Sequence, residues 1–373
     1  METGETANAK RPHVRYLDGL RGVAILAVLL IHSEQLIHGL SQPARDLAFY
    51  GVRGVQLFFI VSGLTLTMNY VGRPFHLVNF AARRFFRIAP MFYAGILLYL
   101  LLNWLTEMPL PTDSATPLDV AATILFLHGW LPSAINTVVP GGWSIAAEAM
   151  FYVAFPALLW AARTRRRMVA VTVASYGIAA TTYFTLQRLL HGTAGGREFA
   201  QLFWLVHAPA FVGGCWLATV RDTAWTRPVA RFVLPASIVG LLIDSQLRGH
   251  SNLLVAIALL TALVWSAGAV RPRILEGKAL PLIGQISFSL YILHFTVIGA
   301  LRPVAPKIEA AVGPNAALLI VYITTLLTAG AFSWAAWQWI EQPIIRATRR
   351  VGLHGIASQT TNRSSAALPP STP

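Results

Sequence analysis

Long apolar segments recur along the whole chain and constrain its fold more than any other feature. Of 373 residues, 55% are hydrophobic and 12% are charged, whereas about a quarter are charged in soluble domains. Segments of this length and composition are typical of transmembrane helices. The sequence predicts an all-α, polytopic membrane helix bundle of about ten transmembrane helices, at about 17–36, 51–71, 88–106, 143–162, 168–190, 199–220, 231–247, 252–270, 280–300 and 316–342.

Basic residues between these segments indicate how the helices are oriented. The net charge of +14 does not point to nucleic acid, because the arginines fall between apolar segments rather than along one polar face. If the short apolar stretch at about 118–131 does not cross the membrane, the basic clusters all lie on one side, which the positive-inside rule makes cytoplasmic. The prediction is then ten spans, cytoplasmic termini and a long outer excursion at 103–142.

The ends of the chain differ in composition from the region between them. Residues 351–373 are rich in Ser, Thr, Pro and Ala, residues 1–12 are similar, and both are predicted to be disordered. Basic residues precede the first apolar segment as in a signal peptide, but no small-residue cleavage site follows, which favours an uncleaved helix. The single cysteine, Cys215, excludes an internal disulfide. We expect one membrane domain at 13–350, with any chemistry between its helices.

The first apolar segment contains two ionisable residues, Arg21 and His32. At about 100° and 1.5 Å per residue, the steps between them complete about three turns, so both lie on one helical face, roughly 16 Å apart. Ionisable residues inside a membrane helix are costly and mark functional sites. A histidine can take a proton from a hydroxyl or act as a nucleophile. It can also simply bond a neighbouring helix, but the arginine on the same face favours function.

A pair of arginines, Arg84 and Arg87, lies at the predicted start of the third span, just before Pro90. At i and i+3 they share one helical face. Guanidinium groups at a helix N-terminus suit phosphate, because their forked donors and the positive end of the helix dipole act together. Anchoring by the positive-inside rule explains the pair equally well, so both interpretations stay open.

A tryptophan, a serine and a glutamate open the fourth predicted span. Ser144 and Glu148 are four residues apart and face the same way on a helix. Ser144 can alternatively be the N-cap of the span, and Trp143 an interfacial anchor. Glu148 should face the bundle interior and find a partner there.

A polar stripe marks the ninth predicted span, where Ser287, Tyr291 and His294 stand at i, i+4 and i+7. Such stripes serve either function or association between helices. Ser62 and Gly63 in the second span are most simply a close-packing site. No spacing typical of a metal site is present, and neither is a Walker A loop, a GxGxxG fingerprint or a GxSxG elbow.

Together these motifs resemble, in content and in order, the acyltransferase-3 family of integral membrane O-acyltransferases. The resemblance covers about residues 13–350 and rests on Tyr16-Leu17-Asp18-Gly19-Leu20-Arg21-Gly22 with His32, Gly54-Val55 through Phe58-Phe59-Ile60-Val61-Ser62-Gly63, Arg84-Phe85-Phe86-Arg87-Ile88-Ala89-Pro90, Trp143-Ser144 to Glu148 and Phe151, and Ser287 to Tyr291 and His294.

The resemblance implies transfer of an acyl group, often acetyl from acetyl-CoA, to hydroxyls of carbohydrates or natural products. Arg21 and His32 match the family's catalytic arginine-x10-histidine motif, with Glu148 as a candidate partner of Arg21. Arg84 and Arg87 match its cytoplasmic arginine-x-x-arginine motif, which engages the donor.

One motif departs from the family pattern. The usual Trp-Ser-Leu-Ser-x-Glu reads here as Trp143-Ser144-Ile145-Ala146-Ala147-Glu148, so the second serine is an alanine. Any role of that hydroxyl is weakened, whereas Ser144 and Glu148 are retained.

The sequence therefore predicts a multi-pass O-acyltransferase of the bacterial inner membrane that uses acetyl-CoA or another acyl-CoA and no metal. Its expected partners are the donor, a hydroxyl-bearing carbohydrate or glycosylated or polyketide natural product, and the lipid bilayer, with no nucleic acid. The alternative is a proton-coupled transporter or flippase of a polar solute, whose buried Arg, His and Glu would form a pathway. No inverted repeat supports it. A structural scaffold would leave the intramembrane ionisable residues without a purpose.

Overall fold

A computed structural model describes residues 14–105, 115–220, 226–248 and 252–348. The segments 1–12 and 351–373, expected to be disordered, lie outside these residues, as does part of the 103–142 excursion. Within the described residues all regular structure is helical. The α-helices are α1 (Arg15–Glu34), α2 (Gln42–Phe49), α3 (Gly54–Tyr70), α4 (Leu77–Leu105), α5 (Pro117–Ile124), α6 (Gly142–Ala161), α7 (Arg165–Leu189), α8 (Gly196–Leu202), α9 (Trp204–Leu217), α10 (Thr226–Arg248), α11 (Leu253–Val270), α12 (Arg273–Glu276), α13 (Ala279–Gln285), α14 (Ser287–Leu301), α15 (Ala305–Val312) and α16 (Pro314–Ala336).

The described helices confirm the polytopic bundle. Nine are long and apolar enough to cross a membrane, and α13 with α14 makes a tenth if this pair, bent by 80°, counts as one span. Each predicted span overlaps one of these ten. The stretch at 118–131 forms α5, which has eight residues and ends at Ile124. At about 1.5 Å per residue such a helix is far too short to cross a bilayer, as predicted.

The start of the third span was predicted wrongly. Helix α4 begins at Leu77 rather than near residue 88, so Arg84, Arg87 and Pro90 lie inside the helix. Hydropathy reports where a helix enters the apolar core, but a helix can continue beyond that core. The part of the phosphate argument that relied on a helix N-terminus therefore does not apply to these arginines.

Helix α1 is packed closely against α13 through glycines. A Cβ on Gly22 would lie 2.3 Å from the carbonyl oxygen of Leu280, and one on Gly284 would lie 1.9 Å from that of Asp18. Only glycines allow the two backbones to approach this far. This contact fixes the part of α1 that carries Arg21 against the bend between α13 and α14.

Helices α3 and α9 form a second close contact in the core. A Cβ on Gly63 would lie 2.1 Å from the carbonyl oxygen of Phe211, and one on Gly214 would lie 2.0 Å from that of Ile60. The interpretation of Ser62 and Gly63 as a close-packing site thus holds for Gly63. In the membrane-crossing windows of α7 and α10 only 11% and 17% of residues are buried, which places these two helices at the perimeter of the bundle.

Candidate functional site

A cavity of about 520 Å³ opens among α1, α3, α4, α6 and α14, and we call it the arginine cavity. It brings together seven of the ten predicted site residues, which come from four separate spans. These are Arg21, Arg84, Arg87, Ser144, Glu148, Ser287 and Tyr291; Arg73, Arg83, Ser62, Thr65 and Tyr152 also line it.

Arg21 is fixed in this cavity by two hydrogen bonds. Its Nη1 donates to Asp18 Oδ1 at 3.0 Å, and its Nη2 donates to Thr65 Oγ1 at 3.1 Å. Asp18 stands one turn earlier on the same helix, so its ion pair with Arg21 is an i, i+3 contact. The carboxylate that accepts a hydrogen bond from Arg21 is therefore that of Asp18. Glu148, the partner predicted for Arg21, lines the same cavity.

Glu148 accepts hydrogen bonds from two hydroxyls. The Tyr152 hydroxyl donates at 2.5 Å and Ser62 Oγ at 3.4 Å. Tyr152 follows Glu148 by one helical turn. The carboxylate is thus held by neutral donors, as expected of a glutamate that faces a bundle interior.

The two arginines of the RxxR motif have different environments. Nη1 of Arg87 donates to Glu341 Oε2 at 2.9 Å, and Ser289 Oγ donates to the other carboxylate oxygen. Glu341 ends the π-helical turn Trp337–Glu341, and its side chain is 2% exposed. Arg84 instead lies over the Tyr152 ring, 5.8 Å from its centroid. The Nε of Arg84 has no hydrogen-bond partner in the described structure, as is also true of Arg83. Because both side chains line the cavity, their guanidinium groups can bind an anion there.

A second cavity, of about 450 Å³, contains His32, and we call it the histidine cavity. Trp143, Phe295, Gln35, Asn136 and Arg302 also line it. Nδ1 of His32 lies 3.3 Å from Gln35 Oε1, and its ring centroid lies 4.4 Å from that of Phe295. Arg21 and His32 thus face two different cavities along the same helix.

The two cavities are adjacent, because Tyr291 and Val55 line both of them. The Tyr291 hydroxyl, Ser144 Oγ and the carbonyl oxygen of Gly141 form a triangle with edges of 3.0 Å. The Tyr291 hydroxyl donates to the Gly141 carbonyl, and the single Ser144 hydroxyl hydrogen is within reach of either the Tyr291 oxygen or the same carbonyl. Gly141 has φ +76°, and a Cβ there would lie 2.8 Å from the Tyr291 hydroxyl. The N-cap of α6 is Gly141, so the alternative that Ser144 caps the helix is wrong.

The polar stripe of α14 is divided by its position relative to the cavities, although all three of its residues are buried. Ser287 and Tyr291 line the arginine cavity, whereas His294 lines neither cavity and is fully buried. Its ring centroid lies 5.3 Å from that of His32. Within the described part of the chain, no group of three or more His, Cys, Asp or Glu side chains could hold a metal ion.

Some partners of the site residues could have been found from spacing alone. Asp18, Gln35 and Tyr152 stand three or four residues from Arg21, His32 and Glu148, where side chains on one helix meet. Other partners carry no local signal. Glu341 and Arg87 are 254 residues apart in sequence, and the sequence showed Glu341 only as an acidic residue at the end of the last span.

Fold and cavities together define a polytopic helical membrane protein whose reactive groups lie between its helices. A profile of the acyltransferase domain of the acyltransferase-3 family matches residues 14–334. The chain belongs to this family. No solved structure matches the chain significantly.

Three curated relatives illustrate what the chain is similar to. Peptidoglycan O-acetyltransferase OatA of Listeria monocytogenes is 24% identical over 365 residues, covering 85% of this chain and 55% of the relative. Acyltransferase MdmB of Streptomyces mycarofaciens is 28% identical, covering 76% and 78%. Exopolysaccharide production protein ExoZ of Rhizobium meliloti is 27% identical, covering 83% and 95%. The chain thus spans about half of OatA but most of the other two.

Proposed function

We propose that the protein is an inner-membrane O-acyltransferase that moves an acyl group, acetyl in the first instance, from acyl-CoA to a hydroxyl of a carbohydrate or natural product. The observation that carries this proposal is that the arginine and histidine cavities are adjacent and share Tyr291 as a lining residue. An anionic donor and a neutral hydroxyl can then enter from different sides of one reaction centre. The family and the names of its relatives support the same reaction class.

The donor binds in the arginine cavity. CoA carries several phosphate groups, and planar guanidinium forks are the side chains that bind phosphate best. Arg83 and Arg84 line this cavity, and the Nε of each has no hydrogen-bond partner within the described part of the chain. Arg21, held by Asp18 and Thr65, adds a further positive charge to the same cavity. The positive-inside prediction makes this the cytoplasmic side.

The hydroxyl of the acceptor is activated in the histidine cavity. When the Nδ1–H of His32 donates to Gln35, the Nε2 lone pair is free to take the hydroxyl proton. The hydroxyl oxygen then bonds to the thioester carbonyl carbon, the carbon–sulfur bond breaks, and the thiolate takes the proton to leave as CoA. In a second version of this route, His32 carries the acyl group first, and a trapped acyl-enzyme would identify it.

The test uses the full-length protein in lipid nanodiscs with radiolabelled acetyl-CoA, and measures release of free CoA and labelling of a panel of sugars. His32→Ala should abolish both reactions while the protein still accumulates. His191→Ala is the matched control, because His191 is exposed and lines neither cavity. Near-normal turnover of His32→Ala would refute the assignment.

A transporter or flippase predicts a different result in the same preparation. Reconstituted wild-type protein would then move a polar solute across a vesicle membrane without consuming acetyl-CoA. The transferase proposal requires acetyl-CoA to be consumed in proportion to acceptor labelled.

A further inference from the structure

Two buried side chains mark the boundary between the arginine and histidine cavities. Val55 lies in the first turn of α3 and Tyr291 lies on α14, and both line both cavities. Among the lining residues that the structure describes, no other is common to the two cavities. We call the place where these two side chains lie the cavity boundary.

The proposed reaction places the acyl group at the cavity boundary. Reacting atoms must come within about 3–3.5 Å of each other, so the thioester carbonyl has to reach the hydroxyl that His32 activates. The phosphates of CoA, bound near Arg83 and Arg84 in the arginine cavity, stand at the opposite end of the donor from its acyl group. The acyl group therefore points away from these arginines and towards Val55 and Tyr291.

The start of α3, which carries Val55, is packed directly on the backbone of α1. A Cβ on Gly54 would lie 2.5 Å from the carbonyl oxygen of Ala24, and one on Gly51 would lie 2.1 Å from that of Ala27. At such short separations the two backbones have no side chain between them. The backbone at Val55 is thus fixed in place on the side that faces α1.

The ring of Tyr291 is held at its hydroxyl end. The hydroxyl donates to the carbonyl oxygen of Gly141 at 3.0 Å, and a Cβ on Gly141 would lie 2.8 Å from that hydroxyl. The backbone of the α6 N-cap thus lies directly against the tyrosine. Packed protein interiors yield little to added volume, so a chain that is too long for the cavity boundary is opposed by fixed atoms.

We propose that Val55 is a specificity-determining residue that restricts the donor to short-chain acyl-CoA, with acyl groups of two or three carbons. This inference rests on the proposed function. Valine is apolar, as an acyl chain is, and its branched side chain has one strongly preferred rotamer in a helix. Its methyl groups therefore have a fixed place. One methylene more or less in an apolar pocket changes kcat/KM by about 10- to 200-fold.

The test measures acyl preference with the full-length protein in lipid nanodiscs. Acetyl-CoA, propionyl-CoA and butyryl-CoA are compared with the sugar of the panel that wild type labels most strongly. Val55→Ala removes two methyl groups, and butyryl has two carbons more than acetyl. This variant should raise the butyryl-to-acetyl ratio of kcat/KM by about 10-fold or more. Val55→Ile adds one carbon and should lower the propionyl-to-acetyl ratio.

Val61→Ala is the matched control for both variants. It is the same substitution in the same helix, at a fully buried position that lines neither cavity. General weakening of α3 affects all donors alike, so the ratios of Val61→Ala should be those of wild type. The proposal is overturned if Val55→Ala leaves the butyryl-to-acetyl ratio unchanged, or if Val61→Ala raises it equally. Wild-type protein that uses butyryl-CoA as well as acetyl-CoA also overturns it.

A binding measurement without an acceptor keeps the proposal testable if the variants lose activity. A ligand that binds the folded protein raises its Tm in proportion to the free energy of binding. Butyryl-CoA should raise the Tm of wild type less than acetyl-CoA does at the same concentration. The difference should shrink in Val55→Ala and persist in Val61→Ala. Equal stabilisation of wild type by both donors contradicts the restriction.

Failure of the inference is distinguishable from failure of the proposed function. If wild type transfers acetyl groups and His32→Ala does not, but the acyl preference does not respond to Val55, only the role of Val55 is refuted. If His32→Ala still transfers acetyl groups, or wild type consumes no acyl-CoA, the proposed function itself fails.

Discussion

Arg87 and Glu341 form an ion pair that should make the two arginines of the RxxR motif respond differently to the same substitution. The Nη1–Oε2 distance is 2.9 Å, and the side chains are 34% exposed for Arg87 and 2% exposed for Glu341. Arg87→Gln leaves the Glu341 carboxylate buried with Ser289 as its one remaining donor among the described residues. Arg84→Gln leaves no carboxylate behind, because Arg84 has no salt bridge in the described structure.

The size of the effect follows from this difference in burial. Removing one partner of a buried ion pair costs about 3–5 kcal/mol, most of it from the charge left behind. Because Arg87 is one third exposed, we expect the lower end, about 3 kcal/mol, for Arg87→Gln. The double variant Arg87→Gln with Glu341→Gln also removes the unpaired carboxylate. It should recover more than half of the lost stability, since the two neutral amides can hydrogen-bond each other and Ser289.

Thermal unfolding of the four proteins of this double-mutant cycle in detergent tests the prediction. Arg87→Gln should lower the apparent Tm by several degrees, the double variant should lie between it and wild type, and Arg84→Gln, the matched control, should unfold near wild type. The reasoning is refuted if Arg87→Gln unfolds at the wild-type temperature, or if the double variant is less stable than Arg87→Gln alone.

Three further predictions concern the donor, the helix packing and acid. Arg84→Gln should raise the KM for acetyl-CoA about 10- to 150-fold, because a hydrogen bond to a charged group contributes about 1.5–3 kcal/mol and about 1.4 kcal/mol is tenfold. Gly284→Ala should destabilise the protein by about 1–3 kcal/mol in thermal unfolding, since the new Cβ would lie 1.9 Å from a main-chain oxygen of α1. The backbone N–H groups of Gly39 and His38 hold the pKa of Glu309 below its usual value. A glutamate whose pKa is lower in the folded protein than in the unfolded chain stabilises the fold at pH values above the unfolded-state pKa, which is about 4.3. This stabilisation is lost as the pH falls through the folded-state pKa. Glu309→Gln should therefore reduce the loss of Tm on acidification.

Each of these predictions has a control within the chain. Arg166→Gln also removes one positive charge, but outside the cavity, and should leave the KM for acetyl-CoA unchanged. If Arg166→Gln raises this KM as much as Arg84→Gln does, the effect comes from net charge and the proposed contact of Arg84 with the donor is contradicted. Gly330→Ala meets no atom within 4 Å and should be neutral, so equal stability of Gly284→Ala would contradict the packing argument. Glu276→Gln removes a carboxylate elsewhere and should keep the acid sensitivity of wild type. If Glu309→Gln leaves the acid sensitivity of Tm unchanged, the inference that the backbone N–H groups of Gly39 and His38 stabilise the Glu309 carboxylate is contradicted.

The error at α4 shows what hydropathy does and does not report. The apolar window begins near Ile88, but the helix starts at Leu77 and carries Arg83, Arg84 and Arg87 in its extra turns. Charged residues lower the hydropathy of a segment without interrupting its hydrogen bonding. The apolar part of the helix could thus be read from the sequence, while the beginning of the helix could not.

The sequence by itself determined the approximate number of spans and the family motifs. Helical spacing could also have indicated the pairs Arg21 with Asp18 and Glu148 with Tyr152, although the partner expected for Arg21 was Glu148. These depend on chain length, composition and helical spacing, which are local properties. Only the tertiary structure decided that Arg21 and His32 face different cavities and that Tyr291 lines both of them. The physical reason is that the cavities depend on contacts between helices that are distant in sequence. Glycine contacts and the 80° bend before α14 set where each side chain points. Interhelical hydrogen bonds join residues as far apart as Leu26 and Tyr322, which are 296 positions apart.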